Sequence, residues 1–335
     1  MRAFVTGATG FVGTHLTAAL CESGHHVIAL VRPSSETMRL EEAARAAKKS
    51  GGSLQLVHGD ITDYRSLKIA AEECEVVYHL AALNAATRAE MQKLSAVNVE
   101  GTRNALQAAI ACKAKKFVHV SSLVAIGAAR HPSELVSEDS ENVLFDSAVR
   151  NFETKRRAEE LVREAARLNK IWAVVVNPSM IYGPGDARKA ARQGNVQVAR
   201  GKVPFYTSGG VNVIGVNDVV KGILAAANKG KSGERYILSS ENLTMRELFA
   251  EIARAAGRPA PKYKMPAWLL EGAARISDAL GAQGPLTVEN IKAATMYHWC
   301  DNSKARRELD FSPAPAREAI HESVRWMKEQ GLLGT

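Results

Sequence analysis

The chain has little of what would staple it, anchor it or give it a metal centre. Its 335 residues hold four cysteines, Cys21, Cys74, Cys112 and Cys300. No two lie close enough to read as a metal clip or a dense disulfide framework, so reduced thiols in a reducing compartment are expected. No apolar run reaches the roughly 18 residues that a membrane-spanning helix needs. Aromatics are only 6%, and no basic stripe interleaved with them appears, as a single-stranded nucleic-acid surface would require. Acidic residues are also short: Asp+Glu number 35 against 44 Lys+Arg, for a formal charge of +9. An anionic partner is one reading of that excess, and nucleic acid, an acidic membrane surface or a phosphorylated ligand would each qualify; a plain solvated basic surface is the other. The bases are mixed with acids, as in Lys155-Arg156-Arg157-Ala158-Glu159-Glu160, which argues against nucleic acid. There is no repeat, heptad run or low-complexity tract. Met1 leads straight into an apolar strand and a glycine turn, so we expect no signal peptide and a cytoplasmic protein.

What is present is the balance of a soluble globular chain, 46% apolar and 24% charged, long enough for one large α/β domain or two ordinary ones. Up to residue 176, short and nearly continuous apolar runs alternate with amphipathic stretches. Strands are expected at 2–6, 26–31, 54–58, 76–80, 117–120 and 172–176, with helices such as 11–22 and the Ala-rich 92–112. The spacing predicts an α/β fold, a Rossmann-type doubly wound parallel sheet covered on both faces. Beyond residue 177 the pattern loosens. Helices are expected over 187–200, 218–228, 244–256, 266–280, 288–294, 303–309 and 316–330, and strands over 211–216 and 235–238. Thr244 with Glu247 forms a capping box. We expect a dinucleotide-binding domain over 1–176, with 211–238 returning to its sheet, and a smaller helix-rich substrate lobe made of 177–210 and 239–335.

The strongest motif is Thr6-Gly7-Ala8-Thr9-Gly10-Phe11-Val12-Gly13, between the first strand and the first helix. Gly7 permits a tight turn, Gly10 lets backbone approach a pyrophosphate, and Gly13 lets helix and strand pack closely. The helix N-terminus offers N–H groups to phosphates. Thr9, Phe11 and Val12 complete this candidate cofactor turn. The second strand ends Val31-Arg32-Pro33-Ser34-Ser35, with no carboxylate to hold a ribose 2′-hydroxyl. Arg32 can pair with a 2′-phosphate and Ser34 can add a hydroxyl, so NADP(H) is preferred over NAD; otherwise Arg32 is a solvated strand-end charge. Asp60 and Ile61 fall where an adenine would lie, unless Asp60 simply caps the helix starting near Asp63. Ala81 and Ala82 are small, as backbone under a cofactor requires. His79 reads as packed structure.

With these motifs in order, the chain resembles the extended short-chain dehydrogenases/reductases, the NAD-dependent epimerase/dehydratase family. Thr6–Gly13, Gly59-Asp60, His79-Leu80-Ala81-Ala82, Asn98-Val99-Glu100-Gly101-Thr102, Val120-Ser121-Ser122 and Pro178 with Tyr182-Gly183-Pro184-Gly185 carry the resemblance. Gly233–Leu238, Glu241–Thr244 and residues 301–309 resemble the branch of dihydroflavonol reductase-like proteins and hopanoid-associated sugar epimerases. The resemblance implies an NAD(P)-dependent oxidoreductase or epimerase acting on a carbonyl or hydroxyl of a small molecule, working as a homodimer. It implies a Ser, a Tyr and a Lys four residues after the Tyr. Ser122 and Lys155 match, Asn98 matches a position beside the active site where it can serve a water relay or a helix cap, and Pro178 and Ser179 match the backbone that contacts the nicotinamide carboxamide. Arg188 can reach a substrate or is a surface charge.

The departure is at residue 151, where Asn stands in place of Tyr. An amide can donate a hydrogen bond but cannot transfer a proton, and general acid–base catalysis is worth about 10²–10⁴-fold. Tyr64 and Lys68 share the spacing by coincidence on another helix. Three explanations fit Asn151: an introduced substitution; a natural variant whose proton comes from elsewhere, with His131, Glu153 and Tyr182 as candidates; or a non-catalytic cofactor-binding sensor or scaffold.

Overall fold

The computed structural model describes residues 1–47, 50–84, 88–129, 131–140, 149–186, 193–279 and 287–334. Arg188 and the start of the helix expected over 187–200 lie outside these residues. In chain order the strands are β1 (Arg2–Thr6), β2 (His26–Val31), β3 (Ser53–His58), β4 (Val76–His79), β5 (Lys116–Val120), β6 (Trp172–Pro178), β7 (Met180–Tyr182), β8 (Phe205–Tyr206), β9 (Gly210–Gly215), β10 (Arg235–Leu238), β11 (Glu241–Thr244), β12 (Tyr263–Lys264) and β13 (Tyr297–His298). The helices are α1 (Phe11–Glu22), α2 (Met38–Ala47), α3 (Tyr64–Ala71), α4 (Arg88–Leu94), α5 (Gly101–Ala111), α6 (Arg150–Arg167), α7 (Gln193–Ala199), α8 (Val216–Lys229), α9 (Met245–Ala256), α10 (Ala267–Ala279), α11 (Val288–Thr295), α12 (Ser303–Leu309) and α13 (Ala316–Glu329).

Seven strands form one parallel sheet in the order β10-β6-β5-β4-β1-β2-β3. The apolar runs are continuous because both faces are covered. Val5, Ala29, Val118, Val174 and Leu238 bury against Leu16 and Leu20 of α1, Ile223 of α8 and Leu309 of α12. On the opposite face Phe4, Ile28, Val77, Phe117 and Val175 bury against Leu67 of α3, Ala105 of α5 and Val162 of α6. The doubly wound sheet expected from the alternation is therefore the observed one.

One expectation needs correcting. Of 211–238, only β10 joins this sheet, through α8, which packs on it. Strand β9 instead centres a second, four-stranded sheet with β7, β11 and β13. β10 already occupies the free edge of β6, and β7, one residue beyond β6, recruits β9 as its partner. Val211 and Val213 of β9 then bury against Leu248 and Ile252 of α9 and Ile320 of α13, a core of their own. Helix α9 starts at the capping box read from sequence, with both reciprocal bonds present.

All four cysteines are free. Burial pushes the Cys74 thiol up to about 11 and that of Cys300 to about 12. Among the described residues no helix is long and apolar enough to cross a membrane.

Candidate active site

The glycine turn lies at the carboxyl end of β1. Gly7 has φ +71°, and a Cβ there would lie 2.7 Å from the Ala81 nitrogen, so the turn presses on the backbone leaving β4. A Cβ at Gly13 would sit 2.0 Å from the Gly7 carbonyl oxygen. Only hydrogen fits at either place. Gly10 N-caps α1 with no side-chain bond to the first turn, so the N–H groups there are not met by a side chain and face outward at the positive end of the helix. This cradle fits the pyrophosphate of a dinucleotide. The loop Gly183-Pro184-Gly185 leans on the same helix: His15 Nε2 pairs with the Pro184 carbonyl at 3.0 Å, and Phe11 packs edge-on to His15.

Arg32 and Ser34 are exposed just past β2. A second cation that sequence reasoning passed over, Arg39 of α2, stands near Gly185 and over the Trp326 ring at 5.2 Å. It has no motif to mark it. Asp60 closes a tight local turn, its Oδ1 accepting from the Thr62 N–H at 2.9 Å and hydroxyl at 2.8 Å. The cap of α3 is Asp63. Ile61 is buried beneath Gly101, where a Cβ would meet it at 2.6 Å.

Beneath the turn runs a directional chain. The Ala81 N–H donates to the Thr6 hydroxyl at 3.3 Å, which meets His79 Nδ1 at 2.7 Å; His79 Nε2 meets the Thr102 hydroxyl at 3.0 Å, and that hydroxyl donates to the Asn98 carbonyl at 2.7 Å. Because Thr102 spends its proton on Asn98, Nε2 is the donor and Nδ1 the acceptor, so the neutral ring is what fits. Burial, and then the charge of Lys155, hold His79 down to about 3. It is packed structure, as the sequence suggested. His119 of β5 stacks on it at 5.5 Å, is buried, and has no hydrogen-bond partner on either nitrogen. Burial, then His79 and Lys155, hold it well below the usual range.

Asn98 sits in a single π-helical turn, Ser95–Glu100, between α4 and α5. Its side chain accepts from the Leu83 N–H at 2.7 Å and donates to the Leu83 carbonyl at 3.0 Å and the Thr154 hydroxyl at 3.1 Å. Both ends of the amide are bonded, and the backbone carbonyl of Asn98 accepts from Thr102. Asn98 thus clamps the chain after β4 to α6.

Ser122 follows β5, with its carbonyl held by Asn177 Nδ2 at 3.0 Å; its hydroxyl makes no hydrogen bond among the described residues. Asn151 lies half-buried in the first turn of α6, and Lys155, one turn on and on the same face, is buried. What fixes this helix is Glu159, which the sequence showed only as one of the acids mixed among the bases of residues 155–160. Its buried carboxylate accepts from Ser121 at 2.8 Å and Asn177 at 2.6 Å and pairs with Arg235 of β10 at 3.2 Å. The signal was available: Glu159 is four residues after Lys155, hence on the same face, and a carboxylate there needs partners. Ser179 bonds Leu238 through its N–H and Asn212 through its hydroxyl, tying β6 to β9; Pro178 pairs with Leu238.

Of the proposed substitutes for the phenol, Tyr182 is excluded. It is buried in the core of the second sheet, and its hydroxyl accepts from Asn195 at 2.8 Å. His131 is exposed and Glu153 half-buried. A titratable ring that sequence reasoning missed, His298 of β13, meets Phe152 edge-on at 5.7 Å. Nothing in the two-residue strand marks it.

Comparison with known proteins shows the family. The family model "NAD dependent epimerase/dehydratase family" matches residues 3–239. A protein of Methylococcus capsulatus named sterol demethylase protein B is 30% identical over 341 residues, 99% of this chain and 100% of that one. A Synechocystis protein named as a candidate dihydroflavonol 4-reductase is 31% identical over 342 residues, 99% of this chain and 96% of that one. The crystal structure of a protein named gox2253 superposes with a TM-score of 0.84 at 30% identity, covering 99% of both chains. On the family model and these relatives, the chain belongs to the NAD-dependent epimerase/dehydratase family of extended short-chain dehydrogenases/reductases, NAD(P)-dependent oxidoreductases and epimerases.

Proposed function

We propose that the protein is an NADP(H)-dependent oxidoreductase acting on a ketone or secondary hydroxyl of an apolar, ring-containing small molecule, with proton transfer altered at residue 151. The observation that carries this is an uncapped α1 cradle at the carboxyl end of the sheet, with Ser122 after β5 and the Lys155-bearing α6 tied together by Asn177 and Glu159. Bound in the cradle, a nicotinamide dinucleotide supplies or accepts hydride. Lys155 brings a positive charge to the nicotinamide side, Ser122 donates a hydrogen bond to the substrate oxygen, and the Asn151 amide orients that oxygen without moving a proton. Arg32 and Arg39, with no carboxylate at the end of β2, favour a 2′-phosphate. The names of the two relatives, a sterol-modifying protein and a flavonoid reductase, favour a ring ketone or alcohol over a nucleotide sugar.

Calorimetric titration tests the first half. NADPH should bind at least about tenfold more tightly than NADH, as one charge-assisted contact warrants, and Arg32→Ala should erase the difference. If neither dinucleotide binds, the reading is wrong. Oxidation of NADPH by cyclic ketones tests the second half and should vanish in Ser122→Ala and Lys155→Ala. Asn151 supports a second reading, a sensor that binds without turnover. Tight NADPH binding with no ketone reduced, and none gained in Asn151→Tyr, would select it.

A further inference from the structure

The segment 258–279 spends its polarity in an unusual way. Its exposed charges are Arg258, Lys262, Lys264 and Arg275, all cationic. The two acids, Glu271 and Asp278, are half-buried, and Asp278 accepts from the Val288 N–H, tying the end of α10 to the start of α11. The same segment exposes Tyr263 (69%), Trp268 (70%), Leu269 (44%) and Ile276 (64%). These are four of the nine large apolar side chains exposed among the described residues, gathered in 14 consecutive positions. Trp268 and Ile276 are eight residues apart on α10, two turns along one stripe. β12, which carries Tyr263, pairs with β8 and is held by the Met265 N–H on the Tyr206 carbonyl at 2.8 Å.

We propose that α10 and β12 form a docking face for an anionic lipid bilayer. Aromatic and aliphatic side chains beside cations, on a helix short of exposed acids, make the composition of an interfacial helix. Tyr and Trp lodge at headgroup depth, and Lys and Arg extend to the phosphates. Charge complementarity selects this occupant over a second copy of the chain: a two-fold contact through the patch would set cation against cation with no exposed acid of the segment to offset them. The face also leads toward the candidate site, since α10 packs on α11, and α11 runs into β13, whose His298 meets Phe152 of α6. The use of the face to draw an apolar substrate from the bilayer rests on the substrate class proposed above; the lipid contact itself does not.

Flotation of the full chain with phosphatidylcholine vesicles, with and without phosphatidylglycerol, tests this without cofactor or substrate. The protein should float with the anionic vesicles, less so as salt rises, with Trp268 emission shifted to the blue. Trp268→Ser combined with Ile276→Ser should weaken binding by at least about tenfold, and Lys262→Glu with Lys264→Glu should remove the preference for phosphatidylglycerol. Both should melt as the parent does and titrate NADPH as the parent does, which separates failure here from failure of the cofactor reading. Absence of flotation, equal flotation of parent and Trp268→Ser, or a dimer in light scattering that Trp268→Ser dissolves would each overturn the proposal.

Discussion

A methyl group at residue 13 would lie 2.0 Å from the Gly7 carbonyl oxygen, so the third glycine of the cradle is set by contact distance. Gly13→Ala forces α1 away from β1, and overpacking of this kind costs about 1–3 kcal/mol. A drop in urea midpoint together with lost NADPH binding checks it; an unchanged midpoint contradicts the contact. Residues of this sort were legible in the sequence, because a glycine's lack of a side chain has few other uses between a strand and a helix. Asn98 and Tyr182 were not. An amide or a phenol has several employers, and which one it serves depends on Leu83, Thr154 or Asn195, partners that spacing alone does not supply.

Helix α6 shows how an element positions chemistry. Phe152, Lys155, Glu159 and Val162 are buried along it, and the amphipathic period made that face readable. The anchor is the Glu159–Arg235 pair, with exposures of 3% and 16%. Removing one partner of a buried ion pair leaves the other charge unmet and costs about 3–5 kcal/mol. Glu159→Ala should therefore lose stability on that scale in chemical denaturation, and Arg235→Ala should lose a similar amount, with the double variant losing less than the sum. Additive losses would mean that the pair carries no coupling. Six of the seven strands of the main sheet were read from the alternation and β10 from its own apolar run, but the sheet that β9 joins was not. A run such as Val211-Asn212-Val213-Ile214 announces a strand and says nothing of its neighbour, and the neighbour was decided by β10 filling the edge of β6. The two-residue β13 was illegible for a simpler reason, since it is shorter than any period.

For the molecule as a whole, His79 joins the end of β1 to α5, with His119 stacked on it and both rings buried in reach of the Lys155 charge. Both rings titrate below their ordinary range, His79 at about 3 against 6.5. The unfolded chain therefore takes up protons below about pH 6.5 that the folded chain refuses. The stability these histidines contribute is full above that pH and is lost as pH falls toward the folded values. The slope is about 1.4 kcal/mol per pH unit for each ring. The two can be told apart, because His79 has a partner on each nitrogen and His119 has none. His119→Phe keeps a ring stacked on His79 and removes one titration, along with two buried nitrogens that bond nothing. It should match or exceed the parent at neutral pH, since an unpartnered buried polar group is a cost. Its stability should fall about half as steeply between pH 6 and pH 4, measured by urea unfolding across that range. Slopes that coincide would show that His119 is protonated in the folded protein, against the burial of its unpartnered ring.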